Sequence, residues 1–277
     1  MYYHGRKTRP KIHPLFRALG GELAQWDLNP HPKNPIINYQ LSINLMLPTV
    51  ILPGYLESAD VYLPLQQALT ALGTPTTTVP LRKRDWLPTL GGRSMIPILR
   101  QLDRTVNAAL ADNQAKQINL IGHSAGGWIS RIYIGEIPYT IHGDVDENTK
   151  LWNAKSKVAN LITLGTPHIS GERWTKKNLD FVNDNYPGAM YADLQYICVA
   201  GKSIYGEKKL GQWLAYSSYQ QTCGEGNTWG DGITAIAAAH LAGATNITIE
   251  GVKHSPRSPG IWYGSPEVLD RWAKYLS

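Results

Sequence analysis

Cysteine is nearly absent from this chain: Cys198 and Cys223 are the two thiols among 277 residues. The two could pair with each other, but so few in a chain this long fit a reducing compartment equally well, and free thiols are the expected reading. Charge is sparse too, at 17% against 43% hydrophobic residues, a balance that excludes extended disorder. Long apolar runs are missing. The best stretch, 36–53, is broken by Asn38, Gln40, Ser42, Asn44 and Pro48 and falls short of the ~20 apolar residues that span a bilayer. Pro10, His13, Pro14 and Arg17 interrupt the place where an export signal would need its apolar core, so no signal peptide and a cytoplasmic location are expected. The sequence has no zinc-ligand cluster, helix-turn-helix signal or base-stacking motif, and the net charge of +6 and pI near 9.2 therefore do not read as nucleic-acid binding.

Acidic residues are lacking before Glu22, and residues 1–46 read as a basic, proline-rich arm that wraps the domain or orders on a partner. Residues 47–277 are long enough for one large domain with a buried core. Apolar, β-branched strands are expected at 49–52, 76–79, 117–121, 158–164, 194–199 and 246–250. Helical patterns separate them at about 59–72, 94–113, from the turn at 122–127 to 136, and at 266–276. Strand and helix in alternation predict an α/β fold, a mostly parallel sheet with helices on both faces. Three stretches break the rhythm, around 137–157, 168–193 and 201–230. They read as loop insertions that form a cap over the carboxyl edge of the sheet.

Gly122-His123-Ser124-Ala125-Gly126 joins an apolar strand to a helix. The bare Gly-x-Ser-x-Gly pattern is weak, but this context makes it a nucleophile turn: glycines on both sides let the chain bend sharply and lift the Ser124 hydroxyl clear of the sheet. A serine needs a base to remove its proton and a carboxylate to orient that base, both downstream in the order Ser, acid, His. Among the later histidines, His142 and His168 come too early and His240 lies in an alanine-rich helix pattern. His254, on an irregular loop after the last strand, is the expected base. Asp231, presented by Trp229-Gly230-Asp231-Gly232, is the expected acid, with a helix N-cap as its plainer reading and Asp193 and Glu207 as alternates. The backbone N–H groups of Ala125 and Tyr55 are the expected oxyanion donors. Leu56, His123 and Trp229 are expected to contact substrate.

With these residues in place, the chain resembles lipases of the α/β-hydrolase superfamily, especially the group of GPI inositol-deacylase-like proteins. Gly122-His123-Ser124-Ala125-Gly126-Gly127, the stretch Leu161-Ile162-Thr163-Leu164-Gly165-Thr166-Pro167-His168 and Gly230-Asp231-Gly232-Ile233 carry the likeness. The resemblance implies the α/β-hydrolase fold and a serine esterase acting on acyl lipids, with Ser124, Asp231 and His254 as its triad. Serine acyl transfer needs no metal and no organic cofactor. Aromatic residues in the cap segments, among them Trp174, Trp213 and Trp229, suit a lipid–water boundary or sugar stacking. The run Arg82-Lys83-Arg84-Asp85-Trp86 reads either as a solvated charge run or as a contact for anionic headgroups at an acidic membrane surface. Two rival readings use the same residues: a lipid acyltransferase, and a slow-turnover receptor for a small ligand.

Overall fold

The computed structural model describes residues 46–141 and 151–276. The expected basic arm, save Met46, lies outside them, as do His142 and most of the middle of the 137–157 stretch.

The sheet begins with β1 (Thr49–Leu52), followed by α1 (Leu63–Ala71), which has a proline in its first turn and is preceded by a short 3₁₀ turn at Ala59–Tyr62. β2 (Thr76–Thr78) follows. The next helix, α2 (Ile96–Asp112), also has a proline in its first turn and buries Ile98, Leu99, Leu102, Val106 and Ala109, the three-and-four spacing of a one-sided helix. Then come β3 (Ile118–His123), α3 (Ala125–Ile134), β4 (Val158–Leu164), α4 (Lys176–Asn185) and β5 (Gln195–Lys202). The rest consists of β6 (Ile204–Tyr205), α5 (Trp213–Cys223), β7 (Trp229–Gly230), α6 (Ile236–Ala239), β8 (Thr245–Glu250) and α7 (Pro266–Trp272).

Six strands form one parallel sheet in the order β2-β1-β3-β4-β5-β8. Side chains alternate across it. Val50, Leu52, Leu120 and Leu161 join a core with residues of α2, α3 and α4, while Ile51, Ile121, Ile162, Ile197 and Val199 join another with residues of α1 and α7. Both faces are therefore covered, which is why these strands read as almost continuous apolar runs. With the sharp strand-to-helix turn after β3, this is the α/β-hydrolase fold.

Two of the stretches expected as loops contain helices, α4 within 168–193 and α5 within 201–230. The charged run at 82–86 enters a 3₁₀ segment, Lys83–Thr89, with Trp86 buried and its indole N–H donated to the Glu57 carbonyl. Cys198 on β5 and Cys223 on α5 are both free thiols. Among the described residues no helix is long and apolar enough to cross a membrane.

Candidate active site

Because all six strands run the same way, the loops after β1, β3, β4 and β8 collect at one edge of the sheet. Ser124 stands there in the turn between β3 and α3, with φ +52° and ψ −124°. A non-glycine residue in that region carries backbone strain of about 1–3 kcal/mol. Its surroundings hold it in place. The Ser124 N–H donates to the Leu164 carbonyl of the neighbouring strand at 2.9 Å. The turn is also too tight for side chains at its flanks: a Cβ on Gly122 would lie 2.5 Å from Gly127, and one on Gly126 would lie 2.4 Å from the Leu52 carbonyl oxygen.

His254, in the loop after β8, places Nε2 2.9 Å from the Ser124 Oγ and Nδ1 2.8 Å from the Asp231 Oδ2. Asp231 is 2% exposed and its carboxylate is fully engaged. Oδ2 also accepts the Tyr263 hydroxyl at 2.7 Å, and Oδ1 accepts the N–H groups of Ile233 and Thr234 at 2.9 and 2.7 Å. Burial alone would raise the pKa of this carboxyl. The His254 charge and the hydrogen bonds from His254, Tyr263 and Thr234 outweigh it and hold the pKa below the ordinary aspartate value. An ionised Asp231 can only accept, so His254 carries its proton on Nδ1 and presents the Nε2 lone pair to Ser124.

Asp231 follows β5 at a long remove in sequence, yet it lies beside that strand. The segment after β5 leaves the sheet, forms α5, and returns through the antiparallel pair Ile204–Gly230 and Tyr205–Trp229. The return strand ends one residue before Asp231, whose main-chain carbonyl then accepts the His254 N–H at 3.0 Å. The alternates sit elsewhere: Asp193 pairs with Lys155, and Glu207 with Lys209.

His123 is not on the cavity wall, which corrects its expected contact with substrate. It is 2% exposed and wedged beneath the turn. Its Nε2 lies 2.9 Å from the His254 carbonyl oxygen, which can only accept, so Nε2 bears the proton and Nδ1 takes the Tyr62 hydroxyl at 2.7 Å. The Tyr62 oxygen in turn accepts the Gly54 N–H at 2.9 Å. Burial, reinforced by the nearby His254 charge, pulls the His123 pKa down to about 3, so it is a neutral strut between the loop after β1 and the loop after β8.

Ser124 opens into a cavity of about 270 Å³ with Tyr55 and Ala125 at its serine end. Among the described residues no acceptor meets the backbone N–H of either Tyr55 or Ala125. Met95, Trp128, Trp174 and Ile233 give the cavity apolar walls, and Ser218, Gln221 and Thr222 line it from α5. Of these seven residues the sequence analysis singled out only Trp174, as an aromatic of the cap. The remaining two expected contacts do not line it. Leu56 is exposed in a left-handed turn, and Trp229 stacks edge-on against Tyr205 with Lys202 over its ring. His168 is buried with Arg131 and Thr163, away from Ser124, and His240 meets Thr248. No three His, Cys, Asp or Glu side chains among the described residues cluster as a metal site would.

Residues 88–208 match the family described as "Putative serine esterase (DUF676)". No curated protein matches the sequence. A soluble variant of the monoglyceride lipase of Saccharomyces cerevisiae superposes with a TM-score of 0.46 at 15% identity, over 84% of this chain and 85% of the lipase. The monoacylglycerol lipase of Paleococcus ferrophilus gives 0.44 at 11%, over 83% and 93%. Aspergillus fumigatus lipase B gives 0.39 at 12% over 60% of this chain, which spans 39% of that lipase's length. At such identities the likeness is one of fold.

Proposed function

We propose that this chain is a serine-dependent carboxylic ester hydrolase acting on acyl lipids, with Ser124 as nucleophile, His254 as base and Asp231 as the carboxylate that orients it. The carrying observation is the unbroken line from Ser124 Oγ through His254 to Asp231, at 2.9 and 2.8 Å, with its serine end in a largely apolar cavity.

In this reading the Ser124 Oγ attacks the ester carbonyl carbon while its proton passes to His254 Nε2. Negative charge collects on the carbonyl oxygen, where the N–H groups of Tyr55 and Ala125 receive it. Each such donor is worth about 3 kcal/mol in the transition state. Collapse of the intermediate breaks the ester C–O bond, and the departing alcohol takes the proton from His254. Water then attacks the acyl-Ser124 carbonyl, again giving its proton to His254, and the acid leaves as Ser124 recovers its hydrogen. Asp231 supports the positive charge His254 carries between the two transfers.

The lipid part of the reading is supported by exposed apolar and cationic residues. Leu210, Trp213 and Leu214 are exposed at and before the start of α5, whose later turns line the cavity. Arg82, Lys83 and Arg84 are exposed as well, which suits peripheral contact with an acidic membrane surface. A fluorophosphonate probe is expected to label the protein and to leave Ser124→Ala unlabelled; labelling of both would remove Ser124 from its role. Product analysis with acyl lipids is expected to yield free fatty acid. Transfer of the acyl group to an added alcohol in preference to water would replace hydrolysis with acyl transfer.

A further inference from the structure

A second cavity, of about 470 Å³, is lined by Gly91, Gly92, Arg93, Arg173, Trp174 and Lys177. Trp174 also lines the serine cavity, so the two cavities share this residue. The second cavity has three cationic side chains and no carboxylate in its lining. None of the ion pairs among the described residues uses Arg93, Arg173 or Lys177. The adjacent Lys176, by contrast, is paired with Asp180 at 2.8 Å, and Glu172 lines the serine cavity instead.

The two segments that carry these cations are tied together. Asn178 Nδ2 donates to the Arg93 carbonyl at 3.3 Å, and Asn178 Oδ1 accepts the Tyr139 hydroxyl. Gly92 packs so closely on the Trp174 carbonyl that a Cβ there would stand 3.0 Å from the oxygen. Their backbones are therefore held in register, and three exposed cationic residues from the two segments line one cavity. An anion there meets positive charge from both segments, and the forked N–H groups of two guanidinium groups match the oxygens of a phosphoryl group.

We infer that this cavity is a subsite for a phosphoryl group on the ester substrate, a deepening that rests on the esterase reading of Ser124. A phosphate-bearing acyl ester fits with its carbonyl at Ser124 and its phosphate beyond Trp174. The Glu172 carboxylate on the serine side repels the opposite placement.

The test compares two soluble short-chain esters with the same acyl group, a lysophosphatidate and the corresponding monoacylglycerol, each below its micelle concentration. The full chain is expected to favour the phosphorylated ester in kcat/KM, and the preference is expected to shrink with added salt. The triple variant Arg93→Gln/Arg173→Gln/Lys177→Gln is expected to lose roughly tenfold of that preference, mainly through KM. Lys116→Gln, an exposed cation before β3 at the opposite edge of the sheet, serves as the charge control and keeps it. Calorimetry on Ser124→Ala gives a readout independent of turnover: the triple substitution weakens binding of the lysophosphatidate by a similar factor. Hydrolysis of both esters with an unchanged ratio in the triple variant removes the subsite and leaves the esterase. Hydrolysis of neither, with charge-dependent lysophosphatidate binding intact, removes the esterase and leaves the phosphoryl site. Loss of inorganic phosphate binding alone, or of binding to acidic phospholipid vesicles alone, with lysophosphatidate binding and selectivity unchanged, overturns the substrate subsite.

Discussion

The Nε2–H of His123 is bonded to the main-chain carbonyl of His254, 2.9 Å away, so that one buried imidazole holds the loop carrying the other. Through the Tyr62 hydroxyl the same ring reaches the Gly54 N–H, next to the proposed oxyanion donor Tyr55. Tyr62→Phe removes the middle of this chain and leaves the Gly54 N–H and His123 Nδ1 buried without partners. The expected cost is about 1–3 kcal/mol in urea denaturation. Loosening both loops should also lower kcat on a short soluble ester by about tenfold or more, with a smaller change in KM. An unaltered kcat would mean that the two loops are fixed by other contacts.

The strained conformation of Ser124 can be separated from its chemistry. Glycine tolerates φ +52° where alanine does not, so Ser124→Gly is expected to unfold with about 1 kcal/mol more stability than Ser124→Ala, both lacking esterase activity. Equal denaturation midpoints for the two variants would argue against strain at this turn.

Asp231→Asn should be more damaging to rate than to structure. An amide can donate to His254 Nδ1 and so favour the tautomer that puts a proton on Nε2, where a lone pair is needed. A fall of about three to four orders of magnitude in kcat is expected, with the variant still folded by circular dichroism. Retention of most of the activity would transfer the role to another carboxylate.

Acid should weaken the fold well before the ordinary aspartate range. Burial lowers the pKa values of His123 and His168 from 6.5, that of His123 to about 3, and half-buried His240 shifts the same way. Between 6.5 and those lower values the unfolded chain binds protons that the native protein refuses, so stability falls as pH falls. Each histidine contributes at most about 1.4 kcal/mol per pH unit. Asp231, whose folded pKa is also lowered, adds a loss that begins only as pH drops through the ordinary aspartate value of 3.8 toward its own. Urea denaturation at pH 7, 6 and 5 is expected to show the histidine part as a steady decline; a flat profile would contradict it.

Gly126→Ala tests the closeness of the turn to β1. The new methyl group would press on the Leu52 and Pro53 carbonyl oxygens, at 2.4 and 2.9 Å, with backbone on both sides of the contact. A loss of about 1–3 kcal/mol is expected from thermal or urea unfolding.

The parallel core was readable because strands covered on both faces need unbroken apolar runs, and 49–52 and 158–164 stand in the structure where the residues put them. The turn at Ser124 was readable because its glycines answer a steric demand made within a few residues. The cap helices were harder to see. α4 buries only Asn178, Leu179 and Val182, and α5 turns Ser218, Gln221 and Thr222 toward a cavity while exposing Trp213 and Leu214, so neither has a clean apolar stripe. The misplacement of His123 has the same origin. Adjacency to Ser124 along the chain says nothing of which side of the sheet edge a ring occupies, and that depends on Tyr62 and His254, far away in sequence. Met95 and Trp128 look like ordinary core residues, and it is the gap between distant segments that turns them into walls.

The excursion between β5 and Asp231 leaves and re-enters the body of the protein through one narrow neck, formed by β6 and β7. The excursion also grips what it delivers: from α5 the Tyr219 hydroxyl takes the Gly232 N–H at 2.8 Å and the Ser218 hydroxyl donates to the Ile233 carbonyl, both on residues that directly follow Asp231. Residues that wall the cavity and residues that seat the carboxylate thus share one short helix, and a graft that reshapes 206–228 has to keep Tyr219 if Asp231 is to stay in place.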